Sequence, residues 1–300
     1  MTGLKADFVR RLITLALGGA LLALAGCGQP PVTRAHPALF VARDGDTTIW
    51  LLGTIHLLPD RVDWQTPAIT RAINDADMIV TEIPEQDPAA ASKMLEAMAR
   101  GENLPPVVNR VAASERPALL AALDAADISL TEADQLDSWA VAAFISSGAA
   151  AAAGASRSNG VEVVLSDTFK RAGKPHTAFE TLSGQLALFD RLPEADQRTL
   201  LTRSIADTRN PKRGYQATLA AWASGDTRRI AASFDPLFVD APVLEEALLI
   251  GRNRRWAGWI AGRMRQPGRV LVAVGAGHLA GPKSVIAMLA AQGIKVARVQ

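Results

Sequence analysis

Ile49-Trp50-Leu51-Leu52-Gly53-Thr54-Ile55-His56-Leu57-Leu58-Pro59 passes from an apolar, β-prone run into a turn that ends on a histidine. Near the other end of the chain the arrangement returns. Arg269-Val270-Leu271-Val272-Ala273-Val274 leads into Gly275-Ala276-Gly277-His278, and a helical pattern begins at about Pro282. Each copy reads as a strand followed by Gly-x-x-His. In open α/β sheets, ligands and catalytic groups gather beyond the carboxyl ends of the strands, where loops present side chains without disturbing the core. Two such histidines are therefore placed to meet in space. Imidazole is a common transition-metal ligand, and two histidines with a carboxylate form a recurrent catalytic set. Two ordinary loop histidines are the plainer alternative.

The first residues have the layout of a secretory signal. Lys5, Arg10 and Arg11 form a basic start, and Leu12 to Gly26 is an uncharged run of 15 residues. That is short of the about 20 residues a membrane span needs. The run closes on Leu24-Ala25-Gly26-Cys27, which resembles the bacterial lipobox. Cys27 is also the only cysteine, so it has no internal disulfide partner, and an acyl thioether accounts for it better than a free thiol in an exported protein. We therefore expect a lipoprotein signal over 1–26, a proline-bearing flexible tether over 27–37, and a single domain over 38–300. Removal of the signal takes the formal net charge from +2 to zero. With one tyrosine and no long Lys/Arg block, the mature chain has no footprint for nucleic acid. Its membrane contact is expected through the lipid, facing the periplasm of a bacterial envelope. Gly28, rather than an aspartate, follows the cysteine and points to the outer membrane.

A hydrophobic fraction of 49%, much of it alanine, supports a core and favours a helix-rich α/β protein. Ala38 to Arg43 and Thr47 to Leu52 read as strands joined by an Asp44-Gly45-Asp46 hairpin turn. Helical spacing over 66–76 then leads to an apolar strand, Asp77 to Ile83, that carries Glu82 at its end. Strand, helix and strand in that order suggest a parallel βαβ unit. From Pro88 to about Asn210 the pattern is helical. The alanine-rich tract from Trp139 to Ala155 reads as a closely packed internal helix, with a low-complexity linker as the alternative. A strand-like return over 174–180 again closes on a carboxylate, Glu180, and the helix from Leu182 to Leu192 carries Gln185. Further helices over 193–265 include Arg252-Asn253, and a strand over 294–299 ends the chain.

Gly53-Thr54-Ile55-His56 with Pro59, Glu82 after a β run, Phe179-Glu180-Thr181 with Gln185, Arg252-Asn253, and Gly275-Ala276-Gly277-His278-Leu279 with Gly281 together resemble the TraB/GumN family. That family is related to the Tiki metalloproteases of animals and, more distantly, to ChaN and erythromycin-esterase-like proteins. The resemblance implies a ChaN-like α/β fold, with a mostly parallel central sheet flanked by helices and a large helical insertion over about 88–265. It also implies a site built from His56, His278 and Glu82. In the Tiki branch it implies a peptidase activity that depends on a divalent metal, so a peptide substrate or ligand is expected. Glu180, Gln185, Arg252 and Asn253 match further family positions.

On that reading a divalent ion held by His56, His278 and Glu82 lowers the pKa of bound water from about 15.7 to near 7. Glu180 serves as base or supports the site, and the two glutamates are exchangeable in these roles. Mn, Co, Zn and Fe all suit such nitrogen and oxygen donors. No protein nucleophile is needed, in keeping with the absence of a Gly-x-Ser-x-Gly elbow. Gly53, Gly275 and Gly277 permit positive φ and close backbone approach, so that a strand can turn abruptly and aim its histidine inward. Arg252 is open to a substrate carboxylate or to one of the glutamates, and a purely structural bridge is an equal reading. The non-enzymatic alternative is an envelope accessory factor that binds a peptide without cutting it.

Overall fold

The computed structural model describes residues 32–208 and 211–300. The signal segment, Cys27 and the first part of the expected tether lie outside the described residues. From Val32 onward the tether expectation needs correction. Thr33–Arg34 pairs in parallel with Val62–Asp63, and Ala35 is 1% exposed within the core, so this stretch is tied down before Pro37.

The central sheet contains β1 (Leu39–Arg43), β2 (Thr47–Thr54), β3 (Met78–Thr81), β4 (His176–Ala178), β5 (Gly268–Gly275) and β6 (Val296–Arg298). Their spatial order is β6-β1-β2-β5-β3-β4. β1 is antiparallel to both its neighbours, β6 and β2, and β2, β5, β3 and β4 are parallel to one another. The βαβ expectation is thereby refined. β2 and β3 are parallel and are linked through helix α1 (Pro67–Asp75), but they are not neighbours, because the late strand β5 lies between them.

That insertion explains the sequence of β5. A parallel strand covered on both faces must be apolar throughout rather than alternating, and Val270 to Val274 are all buried. Side chains then divide by parity. Trp50, Leu52, Ile79, Leu271 and Ala273 face α1 and helix α5 (Val161–Arg171). Ile49, Leu51, Val80, Val270 and Val272 face helices α10 (Gly251–Arg263) and α11 (Val285–Ala291).

Between α1 and α5 lie α2 (Pro88–Met98), α3 (Arg116–Ala125) and α4 (Ser138–Ala152). Between α5 and α10, after β4, come α6 (Leu182–Asp190), α7 (Glu194–Thr208), α8 (Pro211–Ala223) and α9 (Thr227–Phe238). The alanine-rich tract is helix α4 and not a linker. Its Trp139, Val141 and Ile145 pack with Leu119 of α3 and with Leu201 and Ile205 of α7 in a separate helical core. Small alanines let α4 and α7 approach closely, which is why so apolar a tract can form a stable interior helix. Among the described residues, no helix is long and apolar enough to cross a membrane.

Candidate active site at the carboxyl edge of the sheet

The register lines up the ends of the four parallel strands. Thr54 pairs with Gly275, and Thr81 pairs with both Ala273 and Ala178. The residues just beyond those ends are His56, His278, Glu82 and Glu180. Because β5 occupies the middle, the second Gly-x-x-His falls between the first one and Glu82. The space that a methyl group on Gly275 would fill has Glu82 Oε1 at 3.1 Å, His278 Cδ2 at 3.7 Å and His56 Nε2 at 3.9 Å. The two histidines and the glutamate therefore converge on one point of the backbone.

Gly275 is needed for this close approach, and its backbone N–H donates to Glu82 Oε1 at 2.7 Å. The expectation of positive φ at Gly53, Gly275 and Gly277 is not met, since none is among the residues in that region of backbone space. Their shared reason is room. A Cβ on Gly53 would lie 3.2 Å from Ala276, and one on Gly277 would lie 2.9 Å from the Phe234 ring. The turn that does require positive φ is at Gly281.

A π-helical turn, Glu246–Ile250, runs directly into α10. Such turns shift the phase of a helix. Arg252, Asn253, Trp256 and Ala257 all lie on the buried side of α10. Arg252 sits at the centre of the polar cluster. Its Nη2 donates to Glu82 Oε2 at 2.6 Å and to Glu180 Oε2 at 2.9 Å, and its Nε is 3.1 Å from both Glu180 oxygens. Its Nη1 lies 3.0 Å from His278 Nε2, and the guanidinium stacks over Trp256. Gln185 Nε2 adds a donor to Glu82 Oε2 at 3.1 Å. Arg255 reaches Glu180 Oε1 at 3.3 Å from the outside.

These contacts decide the protonation of His278. A guanidinium has donors only, so Nε2 must accept and Nδ1 must carry the hydrogen. Nδ1 donates to Asn253 Oδ1 at 2.6 Å, while Asn253 Nδ2 donates to the Lys283 carbonyl, which fixes the orientation of the amide. Burial pushes the His278 pKa down to about 4, with the Arg252 charge acting in the same direction against Glu82. Burial also disfavours the Glu82 carboxylate. The positive field around it, from His278 when that ring is charged and from the permanent charge of Arg252, overrides burial and holds Glu82 at about 2.

His56 belongs to a second unit. Its Nδ1 lies 2.8 Å from Glu162 Oε1, which also accepts a hydrogen bond from Thr54 Oγ1. Glu162 lies in the first turn of α5, where the helix dipole favours a carboxylate. The Glu162 charge and its hydrogen bond raise the His56 pKa to about 9. The ring is 61% exposed, and among the described residues its Nε2 has no hydrogen-bond partner. His56 lines a cavity of about 610 Å³ that also takes in Glu82, Arg252 and His278. The opposite walls are apolar, with Phe189, Ile230, Phe234, Leu237, Phe238 and Leu248 supplied by the later helices. Trp222 Nε1 donates to the Gly53 carbonyl at 2.9 Å and pins the first turn from below.

The expected residues thus meet in one place, and Glu162 joins them. Gly160-Val161-Glu162 looks like an ordinary helix start with an acidic residue in its first turn, a pattern that charge–dipole complementarity produces on many surface helices. Nothing local distinguishes it. Gly160, just before it, owes its place to the fold: a Cβ there would fall 2.2 Å from the His56 carbonyl oxygen.

The divalent ion implied by the resemblance was tested against this geometry. The donor types are suitable and His56 Nε2 is open, but His278, Glu82 and Glu180 are engaged. His278 Nε2 and an oxygen of each glutamate all point at the Arg252 guanidinium, which stands where a cation would be bound. Among the described residues, no group of three or more His, Cys, Asp or Glu side chains is arranged to hold a metal. The residues in this arrangement do not fit the ion.

The fold and site define an α/β protein whose two Gly-x-x-His turns and Glu82 share one cavity, with Glu180 joined to them through Arg252. A family profile described as the TraB/PrgY/gumN family matches residues 38–298, and the chain belongs to that family. No curated protein and no solved structure gives a significant match.

Proposed function

We propose that this chain is an envelope hydrolase acting on a peptide-like carbonyl substrate with apolar groups, and that His56 activates the attacking water. The observation that carries the reading is the His56–Glu162 pair. Nδ1 is held by a carboxylate, while among the described residues Nε2 has no hydrogen-bond partner and the ring lines the cavity. A carboxylate in that position fixes the tautomer and stabilises the imidazolium that forms when a proton is taken up. Water would lose its proton to Nε2 as its oxygen attacks the carbonyl carbon, and the same nitrogen would return the proton to the leaving group. The apolar walls take up substrate side chains and exclude bulk water. Acylation at Cys27, with the domain facing the periplasm, belongs to the same reading.

The test is hydrolysis of a fluorogenic peptide library by the full chain, with His56→Ala and Glu162→Ala as controls. General-base contributions are about 10²- to 10⁴-fold, so His56→Ala should lose at least about a hundredfold. Turnover unchanged in that variant would sink the proposal. A second reading, peptide binding without turnover, draws on the saturation of both strand-end glutamates by Arg252. It predicts tight peptide binding with no product in the same assay.

A further inference from the structure

We infer that Arg252 is a built-in cation that takes the place of a divalent metal, so that the native chain binds none here, and that removal of its side chain turns the same acceptors into a metal site. The inference rests on the site described above but not on turnover, and its test reads metal content and stability rather than hydrolysis.

Three acceptors from three separate parts of the chain converge on one guanidinium: Glu82 after β3, Glu180 after β4 and His278 after β5. Arg252, Glu82 and His278 are all buried. Such an acceptor set, one imidazole and two carboxylates, is the donor chemistry that Mn, Co or Zn would take from a protein. Here each acceptor already has a donor at hydrogen-bond distance. Counted as charge, the two carboxylates are balanced by Arg252 inside and Arg255 at the rim. A divalent ion added without loss of Arg252 would leave excess positive charge among buried side chains.

Displacing the guanidinium is also disfavoured. It is held by the two ion pairs, by the Leu248 carbonyl at 3.4 Å and by the Trp256 ring 4.7 Å beneath it. Breaking a buried pair by moving one partner away strands the remaining charge. Arginine suits this place because its planar fork can address several acceptors at once, which a lysine cannot do.

Arg252→Met keeps an unbranched apolar stem over Trp256 and deletes the charge. Glu82, Glu180 and His278 Nε2 then surround a position without a cation, and the two carboxylates repel each other. The variant is expected to melt below the wild type. Its melting temperature should climb with added Mn²⁺ or Zn²⁺, and it should retain one ion per chain by elemental analysis. Adding Glu82→Gln to the variant should remove the gain. The full-length wild type should carry substoichiometric metal, and its melting temperature should be unmoved by EDTA or by added Mn²⁺.

A wild-type chain that holds one ion, loses it in His278→Ala and melts lower after chelation would overturn the inference. So would a folded Arg252→Met chain that gains neither metal nor metal-dependent stability. If Arg252→Met does not fold, the wild-type stoichiometry and chelation response decide alone: metal-free and unmoved by EDTA supports the inference, and loaded and EDTA-sensitive ends it.

Discussion

Glu162 Oε1 lies 2.8 Å from His56 Nδ1, joining the first turn of a helix to the end of a strand far from it in sequence. This contact raises the His56 pKa from 6.5 to about 9. The base acts in its neutral form, so kcat/KM should rise with pH toward a midpoint near that value. In Glu162→Gln the charge is lost, so the midpoint should move down toward 6.5 while the plateau rate falls. A pH–rate profile of both proteins checks this, and an unmoved midpoint would show that Glu162 does not govern His56. In stability the same pair contributes fully below pH 6.5, and its contribution is lost as pH rises through about 9.

His278 and Glu82 act at the opposite end of the scale. His278 is held at about 4 against an ordinary 6.5, so the unfolded chain takes up a proton in that interval while the folded one does not. Its contribution is whole above pH 6.5 and is lost as pH falls toward 4. Glu82, held at about 2 against 4.5, contributes above 4.5 and loses that contribution as pH falls toward 2. Urea unfolding at a series of pH values should show two successive acid losses. Asn253→Ala leaves the buried His278 Nδ1–H without its acceptor and should cost about 1–3 kcal/mol. Flat stability from pH 7 to 4 would argue against a neutral His278 in the folded state.

Gly160→Ala and Gly277→Ala separate fold from site. At Gly160 the new methyl group would meet the His56 carbonyl at 2.2 Å, and backbone cannot yield as a side chain can. Destabilisation of about 1–3 kcal/mol, with lost activity, is expected. At Gly277 the obstacle is the Phe234 ring, which is 37% exposed and free to swing. That variant should keep its melting temperature and raise KM, with little change in kcat. Calorimetry and steady-state kinetics on the pair test the contrast.

Phe234→Ala opens the same wall of the cavity without touching the polar cluster. An apolar peptide should bind more weakly while the His56 midpoint stays in place. A shifted midpoint would show that the wall and the histidine are coupled.

Much of the fold was legible because its signals are local. β2 and β5 announce themselves as apolar runs that end in glycine, and Asp44-Gly45-Asp46 marks the hairpin. Glu82 and Glu180 were found because each stands at the end of a β run, and Arg252-Asn253 entered through the family resemblance. Glu162 escaped notice because an acidic residue in a first helical turn is commonplace. The glycines were read for positive φ and for close backbone approach, and only the close approach holds. That distinction depends on Phe234 and Ala276 across the turn, neither of which is near in sequence to Gly53.

The amino-acid pattern alone determined the strands of the central sheet to within a few residues and which side chains stand at the ends of the parallel ones, since hydrophobic periodicity and turn chemistry act over a few residues. The tertiary structure decided the order of the strands, with β5 between β2 and β3, and so which ends are adjacent. It also decided that a guanidinium occupies the centre of the acidic cluster and that His56 pairs with Glu162. Those outcomes arise from long-range pairing and from the requirement that buried charges find partners, conditions that no short stretch of chain can meet by itself.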